Sequence, residues 1–395
     1  MVMRLGLIFE KDLLLGTICE LISIPSRNPP GEEERCASYI KSKLEEYGIE
    51  AYLVQAPLEG RPQVVGVVRG DEGKTTLVLN GHMDVVPEGN IKSWRYPPFE
   101  GKIVDGRIYG RGACDMKSSL GMMIEMARVA SNARLSGNLV LTFAAGEEKL
   151  EPGTQYLLKE FLPKMNLIGD WGVVLEPTSC NIGIAEGGGL WSGIAVKGKA
   201  TQSSVPEKGI NAISKASKVI SKLDEYNAEI LAKKRHTLGP KPTLKVTMIN
   251  GGIKDNIIPD LCNLVADRRL IPGETTEEAW KELQNILEEI KSGDPEFSYE
   301  ISERTKWEPA EISSDSGIVR HLTASYEKVV GDKAKVVGMS YGTDMRNFVN
   351  EVKIPAVIFG PGDVSRAHSP DEFVEIDEVE MAMRILLDLI ERLLV

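Results

Sequence analysis

The sequence predicts an α/β protein: a split domain built on a central, mostly parallel sheet, with a second α+β domain inserted into its middle. Three observations carry this. Apolar runs of strand length alternate with longer helical segments, the pattern of parallel strands joined by helical crossovers. Between about residues 187 and 303 the order changes to β-α-β-β-α-β, the ferredoxin-like arrangement. Finally, the strongest candidate metal ligands lie outside that stretch, at the ends of the flanking strands.

In chain order, 75–79 reads as a buried strand and 116–130 as a helix. Strands follow at 138–145 and 171–175, and after the insert at 335–339 and 356–360. A long apolar-striped helix closes the chain over 375–394. Inside the insert, strands are expected at 190–196, 244–249, 263–270 and 297–302, with helices at 210–230 and 276–290. Gly187-Gly188-Gly189 makes a hinge at the entry, and the exit falls near 304–309. The expected domains are therefore 1–186 with 304–395, and 187–303.

The bulk numbers narrow the function. The 395 residues carry 47 Lys+Arg against 58 Asp+Glu, a net charge of −11. A basic surface for general nucleic-acid binding is therefore not expected. The five cysteines (Cys19, Cys36, Cys114, Cys180, Cys262) are scattered and form no Cys-x-x-Cys pair, which fits a reducing cytoplasm. Cys114 adjoins Asp115 and reads as a small packed residue. No segment reaches the roughly 18 apolar residues of a membrane span. The run from Leu5 to Phe9 is too short, and too charged behind, for a signal peptide. A soluble, cytoplasmic protein with no nucleic-acid or membrane partner is expected.

The chemistry gathers in five short segments. Leu79-Asn80-Gly81-His82-Met83-Asp84 ends an apolar strand with His and Asp two apart, on the same side of an extended chain. A carboxylate there can accept the outer N–H of a metal-binding imidazole and fix its tautomer. Gly110-Arg111-Gly112-Ala113-Cys114-Asp115 is a tight loop before a helix. Asp115 either caps that helix or bridges two metal ions with its two oxygens. Ala145-Gly146-Glu147-Glu148 ends a strand with adjacent carboxylates that point in different directions. One can ligate while the other acts as a base. Leu175-Glu176-Pro177 is again a strand ending in a carboxylate, and the loop from Gly360 to Ser369 brings His368 to the same edge. Of the remaining histidines, His236 lies in a basic run and reads as exposed, and His321 reads as a packing residue of a helix. Together the set offers nitrogen and oxygen ligands for two divalent ions, and no thiolate. That suits zinc, with cobalt or manganese as alternatives.

These motifs, in this order from Ile22-Ser23-Ile24-Pro25-Ser26 to His368-Ser369-Pro370-Asp371-Glu372, closely resemble the acetylornithine deacetylase / succinyl-diaminopimelate desuccinylase family of dinuclear metallopeptidases. That family also contains aminoacylases, carboxypeptidases and dipeptidases. The resemblance implies His82 and His368 as imidazole ligands, Asp115 as the bridge, and Glu148 and Glu176 as terminal carboxylates. It further implies Glu147 as general base and Asp84 as the partner of His82. The insert would be a lid and dimerisation domain, giving a homodimer. Asn256, Arg269, Gly342 and Thr343 would touch substrate, with Arg269 clamping a carboxylate in the fork geometry that guanidinium provides.

One position departs from the family. Where Ala-His-Ser is usual, this chain has Lys199-Ala200-Thr201-Gln202-Ser203. The amide of Gln202 can donate to an oxyanion but cannot carry a positive charge, and losing one oxyanion donor costs about 10²–10³ in rate. The expected activity is cleavage of an N-acyl amino acid by activated water. A dipeptidase or carboxypeptidase is the alternative within the family. A chain that binds metal or ligand with impaired turnover is the alternative outside it.

Overall fold

A computed structural model of the chain describes residues 7–73 and 75–395, which form two compact units. The first two residues of the Leu5-to-Phe9 run lie outside the described residues. The first unit extends to Ile184 and resumes over Ile312–Val337 and Thr343–Val395. The second comprises Ala185–Glu311 and Gly338–Gly342.

The first unit is organised by a mixed sheet. Its central strands are Asn138–Ala144, Thr76–His82, Trp171–Val174 and Ala356–Ile358, side by side in that order and parallel. All seven residues of Thr76–His82 are buried, as a strand covered on both faces requires. Register places His82 opposite Ala144, and Asn80 between Thr142 and Val174. The carboxyl ends of three neighbouring strands thus finish together. The chain leaves them into Met83-Asp84, Gly146-Glu147-Glu148 and Leu175-Glu176, the crevice position where open α/β sheets gather their sites. Two strands absent from the sequence reading, Glu50–Val54 and Gln63–Val68, extend the sheet antiparallel beyond Asn138–Ala144. Helices Lys11–Ser23 and Glu34–Glu46 precede them.

The helix expected from residue 116 begins at Ser118 and runs to Ser131. The delay has a cause distant in sequence. Cys114 and Asp115 donate their backbone N–H to Glu372 Oε1 at 2.9 and 3.0 Å, so 113–117 forms a wide turn in which Asp115 and Met116 have non-helical backbone angles. Asp115 therefore does not cap the helix. A small sheet of Lys102–Val104, Arg107–Tyr109 and Phe373–Glu375 brings this turn against residue 372. The closing helix, Ile376–Leu394, buries Val379, Met383, Leu386, Leu387 and Ile390, each worth about 1.5–3 kcal/mol of transfer free energy.

The second unit has four antiparallel strands ordered Thr243–Gly251, Leu261–Leu270, Gly188–Lys197, Ser298–Trp307. Helices Ala212–Glu229 and Thr276–Gly293 complete the β-α-β-β-α-β order. Alternation is visible in Leu261–Leu270, where Cys262, Leu264 and Ala266 join Val219, Leu223, Leu283 and Leu287 in one core. The second helix opens on a capping box between Thr275 and Glu278. His236 is not exposed as expected: its side chain is 11% accessible, with Nε2 3.2 Å from Glu311 Oε1. Lys233 and Arg235 beside it are exposed and Lys234 pairs with Glu274, while the imidazole, less costly to bury, turns inward. His321 lies on helix Gly317–Val330 of the first unit, its ring 5.5 Å from Trp171. No helix among the described residues is long and apolar enough to cross a membrane.

Candidate metal centre

The strand ends of the first unit that carry His82, Glu147, Glu148 and Glu176 meet Asp115 from the 113–117 turn and His368 from the loop after Ala356–Ile358. Asp115 is the centre of the arrangement. Its Oδ1 lies 3.1 Å from His82 Nε2, and its Oδ2 lies 3.3 Å from His368 Nε2. Each imidazole has a glutamate of its own. Glu176 Oε1 is 3.5 Å from His82 Nε2, and Glu148 Oε1 is 3.2 Å from His368 Nε2. Potential ligand atoms of His82, Asp115 and Glu148 lie within 4.8 Å of one another, as do those of His82, Glu147 and Glu176. His368 sits at a φ of 58°, a left-handed conformation that directs the ring from its loop.

Electrostatics follow from burial. Between protein groups alone, desolvation pushes Glu147 up to about 8; His82 opposes this, and Asp344 and Glu148 reinforce it. Glu176 and Glu148 are raised as well, by burial first, then by Asp115 near Glu176 and against His368 near Glu148. Burial disfavours a charged His82, yet Glu176, Asp115 and Asp84 hold it well above its usual range. His368 is raised to about 10 by its hydrogen bonds to Asp115 and Glu148. Four largely buried carboxylates around two imidazoles, His82 buried and His368 half exposed, make a site rich in negative charge, which is costly without cations. The donors are hard oxygens and imidazole nitrogens, so a pair of divalent cations fits the set.

The neighbours of this cluster fix it. Asp84 was expected to orient His82 through its carboxylate. Instead His82 Nδ1 faces the backbone oxygen of Asp84 at 2.8 Å, with the nearest carboxylate oxygen at 3.7 Å. The carboxylate is occupied elsewhere: it accepts the N–H groups of Gly146, Glu147 and Glu148 at 3.0–3.2 Å. Cys114 is buried and its thiol is pushed far up, by burial first and Glu372 second, consistent with packing and not reactivity.

A family model described as peptidase family M20/M25/M40 matches residues 78–392. The chain belongs to this family. It is an M20-family metallohydrolase, a metal-dependent enzyme acting on amide bonds. Among curated relatives, a probable succinyl-diaminopimelate desuccinylase of Staphylococcus aureus is 29% identical over 93% of both chains. An N-formyl-4-amino-5-aminomethyl-2-methylpyrimidine deformylase of Halalkalibacterium halodurans is also 29% identical, over 96% of this chain and 94% of that protein. Among solved structures, an M20 metallo-carboxypeptidase from Sulfolobus solfataricus superposes with a TM-score of 0.79 at 22% identity, covering 96% of this chain and 98% of that one.

Of the residues expected to touch substrate, Thr343 is in the first unit, and Gln202, Asn256, Arg269 and Gly342 are in the second. Gln202 pairs with Ile257 in a short ladder, and Ser203 N–H donates to Asn256 O at 3.0 Å, so Gln202 and Asn256 are neighbours. Arg269 contacts Asp267 at 2.9 Å, and its guanidinium carbon lies 6.0 and 5.3 Å from the ring centres of Trp191 and Trp307. Gly342 packs so closely that a Cβ would meet the Trp307 indole nitrogen at 2.5 Å.

Sequence reasoning missed several groups around the centre. Arg346 Nη1 lies 3.8 Å from Glu147 Oε1, and buried Asp344 accepts from Thr154 Oγ1 at 2.5 Å. Both follow Gly342-Thr343, which was singled out, but nothing in the spacing marks them. Glu372 stood within the quoted motif without a role. Its partner Arg111 is 2% exposed and donates to Glu372 Oε2 at 2.5 Å.

Proposed function

We propose that this M20-family chain hydrolyses the amide of an N-acyl amino acid, releasing the acyl carboxylate and a free amine. The observation that carries this is the disposition of Asp115, whose two oxygens face separate imidazoles, each with its own glutamate. His82 and Glu176 would hold one divalent ion, His368 and Glu148 a second, with Asp115 between them. Zinc suits the donor set best, and cobalt and manganese are the alternatives. Bound ions of this kind lower the pKa of water towards neutrality and polarise a carbonyl.

Glu147 is the general base. It is 11% exposed, close to His82 and Glu176, and its raised proton affinity suits exchange near neutral pH. It takes a proton from the attacking water and returns it to the leaving nitrogen as the C–N bond breaks, and the second water proton, shed as the acyl group ionises, leaves with the amine as its ammonium form. Arg346 steadies the ionised form of Glu147 from one side. Asp84 orients the turn that carries it. In the second unit, Arg269 reads the substrate carboxylate with its guanidinium held against Asp267 and flanked by two indoles. Gln202 and Asn256 supply side-chain amides, and Gly342 and Thr343 line the approach. The second unit acts as a lid and joins two copies into a homodimer.

The acyl reading is supported by the two relatives named for removing succinyl and formyl groups, each matched over more than nine-tenths of its length. A panel of N-acetyl, N-succinyl and N-formyl amino acids against dipeptides, with zinc, cobalt and manganese, tests it. Faster turnover of one N-acyl class is expected. Turnover confined to dipeptides would move the assignment to a dipeptidase.

A further inference from the structure

The turn that carries Glu147 and Glu148 is anchored at both ends, and one side-chain amide joins the anchors. At its start, Asp84 Oδ1 accepts from Gly146 N at 3.0 Å and Glu147 N at 3.2 Å, while Oδ2 accepts from Glu148 N at 3.1 Å. At its end, Glu151 N–H returns to Gly146 O at 2.8 Å. The Glu151 carboxylate accepts from Arg61 Nη1 at 2.7 Å, and Arg61 is itself held by the fully buried Glu33. Between the anchors sits Asn28, which is 2% exposed. Its Nδ2 donates to Asp84 Oδ2 at 2.9 Å and to Glu151 Oε2 at 3.2 Å.

The chemistry of this tie is specific. Two carboxylates directed at one point, the buried Asp84 and the partly buried Glu151, repel, and each needs a donor. A primary amide nitrogen carries two N–H groups and no charge, so it serves both without adding a second cation beside Arg61. The amide is itself held from behind. Asn28 N–H donates to Val85 O at 2.9 Å, and Ser26 Oγ donates to Met83 O at 2.7 Å, so 26–28 runs along the segment that carries Asp84. The direction of the Glu147 side chain depends on the orientation of the peptide units at 146–148. Those are fixed by the Asp84 carboxylate, whose plane is fixed in turn by Asn28.

We propose that Asn28 is a positioning residue for the general base, acting through Asp84 and Glu151 on the turn and not by touching substrate. This rests on the assignment of Glu147 made above. A residue that only filled a polar gap in the core would lower stability without a link to Glu147, so the two roles separate by experiment.

The test measures kcat, KM, melting temperature and cobalt binding by visible absorption for N28A, Asn28→Ser, E151Q, the double variant N28A/E151Q, and N28A in an E147Q background. N28A should lower kcat by about 10²-fold, the cost of roughly an ångström of misplacement, with KM little changed. Asn28→Ser, which keeps one donor, should fall between N28A and wild type, and it remains informative if N28A does not fold. N28A/E151Q should be no more than about twofold worse than the poorer single variant, because both act through one turn. In the E147Q background N28A should leave the residual rate within about twofold. Cobalt binding should weaken in N28A, since Glu148 shares the turn, and the rates are therefore compared at saturating metal. Wild-type kcat in N28A and Asn28→Ser, or a full loss that persists without Glu147, would overturn the proposal. If E147Q itself keeps wild-type activity, the base assignment fails instead, which is a distinguishable result.

Discussion

Replacing Glu372 by alanine should destabilise the first unit more than any other single truncation near the centre that leaves the proposed ligands intact. Glu372 is fully buried, and its Oε1 accepts two backbone N–H groups, from Cys114 at 2.9 Å and Asp115 at 3.0 Å. Its Oε2 accepts from Arg111, which is 2% exposed. Removing one partner of a buried pair costs about 3–5 kcal/mol because the other charge stays buried. The two N–H groups left without an acceptor add about 1–3 kcal/mol. Against this, burial and then the nearby Asp115 hold the Glu372 carboxyl up at about 7 in spite of Arg111, so its charge is kept at a cost. The net expectation for E372A is therefore about 4–6 kcal/mol. E372Q keeps the shape and one acceptor, and should lose about 1–3 kcal/mol. The double variant R111L/E372L should recover part of the E372A loss, because no charge is left stranded. Urea unfolding followed by circular dichroism and fluorescence, with the transitions of the two units fitted separately, reads these values. A loss below about 1 kcal/mol for E372A, or strict additivity in the double variant, would refute the reasoning.

Three further outcomes are expected. Asp294 is held down at about 2, by Lys215 first and Lys218 second, against 3.8 when unpaired. Its stabilisation is therefore present above pH 3.8 and lost as pH falls through about 2; D294N should cost about 1–2 kcal/mol at neutral pH, after screening, and flatten stability over that acid range in a pH series of melts. Gly189→Ala would place a Cβ 2.2 Å from the Trp307 ring and should destabilise the second unit by about 1–3 kcal/mol, read by urea titration. Dialysis against a chelator should abolish turnover and lower the melting temperature. Restoring metal at a hundred times its Kd should return about 2.7 kcal/mol, and an unchanged melt would argue against ions at this site.

Much of the site was legible because its parts sit where strands stop. A buried parallel strand reads as a mainly apolar run, so the polar residues at or just past its end, His82, Glu147 and Glu176, stand out at the sheet's carboxyl edge. The insert was legible through its helix and strand periods. What escaped was set by contacts distant in sequence. The helix after Asp115 starts late because Glu372, far along the chain, takes two of its N–H groups. The carboxylate of Asp84 serves three backbone donors and leaves the imidazole to its own backbone oxygen, a choice that no spacing encodes. Asn28, Arg61 and Arg346 meet the Glu147 turn only through tertiary structure. The N-terminal strands Glu50–Val54 and Gln63–Val68 do not stand out in the sequence because they are short, five and six residues, and Gly66 interrupts the apolar run of the second.

The central claim is that Glu147 is a base and not a ligand. The direct measurement is kcat for Glu147→Gln with its metal content matched to wild type by elemental analysis, on the best substrate of the N-acyl panel. An unchanged complement of two ions per chain is expected, with a loss of about 10²–10⁴ in kcat, the range for removing a general acid–base group. Wild-type turnover, or loss of an ion together with activity, would contradict it.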